Sequence, residues 1–239
     1  MKKLALAIII MFLIMPKQSK AQNNGAALAA AVGGVAAIGA AIASVEQMKE
    51  QAELTATQWI LSNNPELTSF SLKTLAFDGK KLKDISSVSV ITYKIQEFTP
   101  KMTPSLDGKK HVLFGFTSHG WINEYGIDFE KVQWFLIDDA EWIRMMTAYV
   151  KVASEEKNES SLIETLKNGK IVNRGVKVDG KLAIPFFKLS GDMYVVTDYS
   201  SRLKLLYNER SLGVYLKETK DLVQIGRGDI IDIHQFFFN

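Results

Sequence analysis

The chain has 239 residues, contains no cysteine, and carries 29 Lys or Arg residues against 26 Asp or Glu residues, for a formal net charge of +3. The absence of cysteine excludes disulfide bonds, thiolate metal sites, a cysteine nucleophile and a lipid anchor on cysteine. Four of the lysines lie within the first 20 residues, so the rest of the chain is nearly neutral. A nucleic-acid partner, which requires a basic face, is therefore not expected.

The N-terminus has the three parts of an export signal. Lys2 and Lys3 form a charged n-region, and the apolar stretch Leu4–Met15 follows it. The small residues Ser19 and Ala21 occupy positions −3 and −1 relative to the predicted cleavage site. The apolar stretch is too short to span a bilayer comfortably. We predict that residues 1–21 are a signal peptide, with an uncleaved membrane anchor as the alternative. Cleavage lowers the Lys and Arg count from 29 to 25 against 26 acids, so the net charge falls from +3 to −1.

Residues 25–45 are an uncharged run of alanine, glycine and a few aliphatic side chains. A helical pattern continues beyond this run until Asn63-Asn64-Pro65, which is a typical helix stop. We therefore predict that residues 22–64 form an apolar helical arm. The arm is either one long helix or a helical hairpin, with Gly33-Gly34 as its weak point.

Small residues recur at intervals of four along this predicted helix, in one row formed by Ala29, Gly33, Ala37 and Ala41 and a second row that includes Gly34. Such rows allow two helix backbones to approach closely. Three interpretations stay open: a membrane span, a helix buried in the protein's own core, and a helix docked on a partner protein. The alanine and glycine content gives weak membrane insertion, whereas docking explains why both faces are uncharged. We take Ala29, Gly33, Gly34, Ala37 and Ala41 as candidate partner-binding residues.

Residues 65–239 are predicted to form one α+β globular domain, with a mainly antiparallel sheet and one or two helices. Asp138 and Asp139 mark a helix start by N-capping, and a short second helix is expected over Ser161–Leu166. Apolar segments bounded by turn residues predict the strands. They are Phe70–Phe77, Val88–Ile95, His111–Thr117, Lys131–Ile137, and an antiparallel meander over Ile171–Val178, Leu182–Leu189, Met193–Val196, Leu203–Tyr207, Gly213–Lys217 and Leu222–Gln224.

The C-terminal segment Ile230–Phe238 is too apolar to be left uncovered in water. We predict a core strand here, preceded by a turn over residues 226–229. The alternative is that its aromatic side chains dock on a partner, so Phe236, Phe237 and Phe238 join the candidate partner-binding residues.

The window 119–142 holds three of the four tryptophans together with several carboxylates. Carboxylates beside aromatic faces are typical of sugar sites, so a periplasmic carbohydrate-binding protein or hydrolase is the alternative function. Asp138, Asp139 and Glu141 fit helix capping equally well. The three histidines lack metal-site spacing, although a site assembled from His119, Asp128 and His234 stays open. We predict no catalytic residue, no metal and no cofactor.

The junction Ala21-Gln22 resembles the signal-peptide junctions of exported proteins of the Bacteroidota. Within that group, a small cysteine-free protein with an apolar arm is similar to an accessory subunit of an outer-membrane machine, such as the small periplasmic plug component of the type IX secretion translocon. The resemblance implies a bacterial periplasmic or outer-membrane-associated location and a protein partner in the cell envelope. It implies a non-catalytic docking function and allows membrane contact through residues 25–45.

Overall fold

The computed structural model describes residues 45–77, 88–103, 105–123, 126–186, 195–207 and 211–239. Within these ranges the chain forms four α-helices and thirteen strands, and every strand pair is antiparallel. The predicted α+β class with a mainly antiparallel sheet is confirmed.

Sheet I is the middle layer of the described structure. Its strand order is β1-β2-β3-β6, with β1 at Phe70–Ala76, β2 at Ser89–Glu97, β3 at Lys110–Thr117 and β6 at Val132–Ile137. The short strands β4 (Ile122–Asn123) and β5 (Gly126–Ile127) pair in the connection between β3 and β6, before a 3-10 turn at Phe129–Lys131. Tyr93 pairs with Leu113 and Thr92 with Phe114, so successive pairs point to opposite faces. All four of these side chains are buried, which explains the nearly continuous apolar character of β2 and β3.

Helix α1 (Val45–Asn63) covers one face of sheet I. Met48, Ala52, Ala56 and Ile60 are buried at intervals of four, which places them on one side of the helix. They pack with Tyr93, Leu113 and other residues of the sheet in one core cluster. Residues 45–63 of the predicted arm therefore belong to this packed layer. The candidate partner-binding residues of the run, which are Ala29, Gly33, Gly34, Ala37 and Ala41, lie outside the described residues.

The predicted antiparallel meander over residues 171–224 is divided between two sheets in the described residues, and sheet II is its later part. Its order is β10-β11-β12-β13, with β10 at Val195–Asp198, β11 at Leu203–Tyr207, β12 at Ser211–Leu216 and β13 at Asp221–Gly226. One face is buried by the alternate residues of the strands, such as Leu205 opposite Val214. The short hairpins of this sheet keep neighbouring strands close in sequence.

The remaining described elements complete the second core. Helix α2 (Asp139–Ala153) starts where predicted and α3 is Glu159–Asn168. Sheet III contains β7 (Lys170–Val172), β8 (Gly175–Val178) and β9 (Lys181–Ile184). Side chains from these elements, from sheet II and from the second face of sheet I form one large apolar cluster. Sheet I is thus packed on both faces, by α1 on one side and by this cluster on the other.

The predicted core strand at Ile230–Phe238 is wrong, because the segment is helix α4 (Arg227–Phe238). The helix buries Ile230, Ile233, His234 and Phe237, which is the spacing of one helix face. A strand would instead bury alternate residues. Asp232 and Gln235 are the exposed positions that break the apparent apolar run. From residue 65 onward the described residues therefore contain three helices rather than one or two, and the predicted turn at 226–229 is the start of the third.

Candidate functional site

A cleft of about 550 Å³ opens between the free edge of sheet I and one end of sheet II. Its floor is apolar and includes Phe116, Phe135 and Val214, while Glu141, Tyr199 and other polar side chains lie at its rim. Phe116 and Phe135 meet edge to face with 5.6 Å between their ring centres. The cleft is of a size that suits a small ligand or a side chain of a partner.

Two local structures fix the polar rim. Asp138 is the N-cap of α2, and its Oδ1 accepts a hydrogen bond from the Glu141 backbone N–H at 2.8 Å. Glu141 therefore lies in the first turn of the helix, facing the cleft. On the opposite side, the backbone N–H groups of Tyr199 and Ser200 donate to the Leu203 carbonyl at 3.2 and 3.1 Å. This tight β10–β11 connection holds the Tyr199 ring in place.

Glu141 is the centre of the polar cluster. Its Oε1 accepts a hydrogen bond from the Tyr199 hydroxyl, and its Oε2 forms an ion pair with Arg144 one helical turn further along α2. Burial raises the pKa of Tyr199, so its phenol stays protonated and acts as a donor to the carboxylate. Both carboxylate oxygens are thus engaged.

One aromatic residue of the cleft also contacts a cation that does not itself line the cleft. The Arg202 guanidinium lies 4.3 Å from the centre of the Phe135 ring, a cation–π arrangement. The charged side chains that do line the cleft include Glu141 and Arg144, which form an ion pair beside the apolar lining residues. Such an arrangement suits the binding of a group that is partly apolar and partly polar.

The structure does not bring the predicted tryptophan and carboxylate window together as one surface. Trp121 and Trp134 are buried in the cluster under α1, whereas Trp142 is buried in the other core. Asp138 and Glu141 line the cleft, but the first caps α2 and the second is held by Tyr199 and Arg144. The three buried indoles therefore present no exposed ring on which a sugar would stack.

The predicted histidine and carboxylate residues occupy separate surroundings. His119 is exposed, Asp128 accepts a hydrogen bond from the Glu130 backbone N–H at 3.2 Å, and His234 is 1% exposed between Trp142 and Gly169. In the part of the chain that the structure describes, no group of three metal-ligating side chains forms.

The three aromatic residues of the tail have different roles. Phe237 is buried and packs beside Trp142, with 6.5 Å between ring centres. Phe238 lies against the His234 ring, at 4.7 Å between centres. Phe236 is partly exposed and faces the lysine side of sheet I. Of the three, Phe236 is the one that borders a surface pocket.

Sequence reasoning missed Tyr199 and Arg144 as residues of the cleft, and Arg202 as the cation on the Phe135 ring. Tyr199 and Arg202 come from the β10–β11 connection, which the sequence marks only as a turn. Their proximity to α2 depends on how sheet II packs on sheet I, and no local pattern encodes that. The Glu141–Arg144 spacing of three residues on a predicted helix was a signal that was available.

Comparison with protein-family models, with curated proteins and with solved structures found no match to this chain. Among the described residues, none of the helices is long and apolar enough to cross a membrane.

Proposed function

We propose that this protein is a non-catalytic component of the bacterial cell envelope that docks onto an outer-membrane or secretion complex through its small-residue segment. The observation that carries the proposal is the position of that segment. In the sequence, the uncharged run 25–45 ends at the first residue of α1, which begins at Val45. An uncharged segment of this length needs an apolar cover.

The packing of α1 supports this arrangement. Met48 and Ala52, in the first half of α1, are each 2% exposed against the sheet. The end of α1 that receives the run is therefore anchored to the domain. A partner that binds the run would tether the α+β domain through α1.

The resemblance of the leader to Bacteroidota export signals makes an envelope partner the first to test. The type IX secretion translocon, with its small periplasmic plug component, is the particular complex we propose to examine. The alternative, a periplasmic carbohydrate-binding protein or hydrolase, has less support from the geometry. Acid–base hydrolysis of a glycoside needs two available carboxylates, and those of Asp138 and Glu141 are both engaged.

The proposal is tested by mild-detergent purification of the tagged protein from its own envelope. The double variant Gly33→Leu/Ala37→Leu fills the small-residue row, so we expect it to lose the partner by at least tenfold in recovered complex. Ala31→Leu is the matched control, because it adds the same side chain on the aliphatic side of the predicted helix. Mass spectrometry identifies what co-purifies.

Specific loss in the row variant, with Ala31→Leu behaving like the unaltered protein, supports docking. Equal recovery of the complex from all three proteins contradicts it. Thermal unfolding of each variant checks that the α+β domain is intact, so that a loss of partner is not a loss of fold.

A further inference from the structure

Three lysines from three neighbouring strands lie on one face of sheet I, away from the cleft. Lys73 of β1 is the direct register partner of Lys94 of β2, and Lys110 of β3 is the partner of Gln96, two positions further along β2. Residues two positions apart on a strand share a face, so the three side chains project to the same side. They line a pocket of about 280 Å³.

Helix α4 closes this pocket with an aromatic ring. The ammonium groups of Lys94 and Lys110 lie 5.9 and 5.5 Å from the centre of the Phe236 ring. Both charges are therefore held toward one point by cation–π attraction, although they repel each other. This gives Lys94 and Lys110 a defined position that surface lysines usually lack.

Among the described residues no side-chain carboxylate pairs with the three lysines, and the opposite polarity at the pocket is the partial negative charge of the last turn of α4. No carboxylate of the described residues forms an ion pair with Lys73, Lys94 or Lys110, whereas Lys101 pairs with Asp107 and Lys217 with Asp198. Like charges directly opposite each other on an antiparallel pair are destabilising. An anion in the pocket would remove this repulsion.

Neutral hydrogen-bonding side chains surround the charges. Ser71, Gln96, Gln235 and Asn239 also line the pocket. Gln96 is fixed by the hydrogen bond that its Nε2 donates to the Leu106 carbonyl at 2.8 Å. The volume of about 280 Å³ lies just below the range for ligand sites, about 300–1,000 Å³, so the bound group is small.

We propose that this lysine pocket binds a phosphomonoester. Such a group carries a charge of about −1.5 to −2 near pH 7 and three acceptor oxygens, which matches three ammonium donors better than a single carboxylate does. Lysine binds phosphate as a point charge without requiring a forked geometry. The phosphate belongs either to a free small molecule or to the headgroup of a membrane lipid, and the experiment separates these two sources.

The test measures binding of the full chain to glycerol 3-phosphate by titration calorimetry at constant ionic strength. The same protein is then mixed with phosphatidylcholine vesicles with and without phosphatidic acid, which carries a lipid phosphomonoester. The pocket variant is Lys73→Gln/Lys94→Gln. Its matched control is Lys170→Gln/Lys177→Gln, which removes two exposed lysines that are also direct register partners, in sheet III. Both variants change the net charge equally.

We expect the pocket variant to bind at least tenfold more weakly than the unaltered chain, and the control to bind unchanged. Such a difference with glycerol 3-phosphate assigns a free ligand, and the difference with phosphatidic acid vesicles alone assigns a lipid headgroup. Equal binding by both variants, or no saturable binding to either probe, overturns the proposal. If the double variant does not fold, Lys110→Gln replaces it. The same results then support or overturn the proposal.

In the vesicle experiment, the affinity of each variant is compared with that of the other variants, and not with an absence of binding. All of them retain residues 25–45, so any membrane contact by that run is common to every sample. The lysine proposal therefore stands or fails independently of the docking proposal.

Discussion

His234 shows how burial determines the chemistry of one side chain in this protein. The residue is 1% exposed, and its Nδ1 accepts a hydrogen bond from the Trp142 indole N–H at 3.2 Å. Its Nε2 donates to the Gly169 carbonyl at 3.3 Å, so the neutral ring with the proton on Nε2 satisfies both partners. Burial lowers the pKa of His234 to about 4, because the charged ring would lose its water.

This shift predicts a pH dependence of stability. The folded-state pKa lies below the ordinary value of 6.5, so the contribution is complete above pH 6.5 and is lost as the pH falls toward 4. The unfolded chain gains a proton in that window while the folded chain does not. We expect the free energy of unfolding to fall by about 3 kcal/mol across it from this residue alone. Urea unfolding at pH 7.5, 5.5 and 4.5 measures the change.

The variant His234→Asn isolates the effect of His234. It keeps an acceptor near the position of Nδ1 for Trp142 but does not titrate in this range. We expect it to be less stable at pH 7.5 and to have a much weaker pH dependence between 6.5 and 4. A slope equal to that of the unaltered protein would show that other groups carry the dependence.

At the scale of elements, α1 is defined by the contrast between its two sides. Ile60 is fully buried against sheet I, whereas its neighbour Leu61 is 51% exposed. Trp59 stacks on Trp134 of β6, with 5.9 Å between ring centres. The helix is therefore held by one face, and adjacent residues of similar chemistry differ in what they contribute.

These neighbours offer a matched pair of substitutions. Ile60→Ala removes buried methyl groups and leaves a cavity, so we expect a loss of about 2–5 kcal/mol in the free energy of unfolding. Leu61→Ala removes similar volume from an exposed position, so we expect a change within about 0.5 kcal/mol. Urea denaturation of both variants checks this, and equal losses would mean that α1 does not pack as described.

The composition of α4 explains why the sequence analysis predicted a strand for this segment. The residues Ile230 to Phe238 include six aliphatic or phenylalanine side chains, a density that satisfies a strand and a helix equally. The deciding positions are Asp232 and Gln235, three residues apart and both exposed. Asp138 is the opposite case, because a capping residue acts on its own helix and the prediction was therefore correct.

At the scale of the whole molecule, sheet I separates two cores. One lies under α1, and the other lies among sheet II, sheet III and the helices α2, α3 and α4. This arrangement makes α1 part of the folded domain, although the sequence assigns it to the arm. The apolar surface that covers the uncharged run before α1 is then the remaining question.

Two truncations test that division. A chain beginning at residue 45 keeps α1, so we expect it to remain folded, with an unchanged free energy of unfolding and greater solubility than a chain beginning at residue 22. A chain beginning at residue 64 lacks α1 and exposes Tyr93 and Leu113, both fully buried in the structure, so we expect it to unfold. Circular dichroism and thermal unfolding measure both.

One result of these truncations would contradict docking. If the chain from residue 22 is a soluble monomer and the chain from residue 45 unfolds, the run packs inside the protein's own core. A partner would then not be needed to cover it.

Local sequence patterns predicted the α+β class, the α2 cap and most strand positions, but not the division of the predicted meander into two sheets. Each depends on residues close together in the chain, where turn residues, capping side chains and periodicity act locally. The sequence also predicts the export signal and the docking segment, which stay predictions.

Only the tertiary structure decided the rest. It assigned the tail to a helix, buried the tryptophans in two cores, and joined Glu141 to Tyr199 across 58 positions of sequence. It also placed Lys73, Lys94 and Lys110 around Phe236. These sites depend on strand register and on which faces pack together, and both are determined by the burial of the whole chain rather than by any single segment.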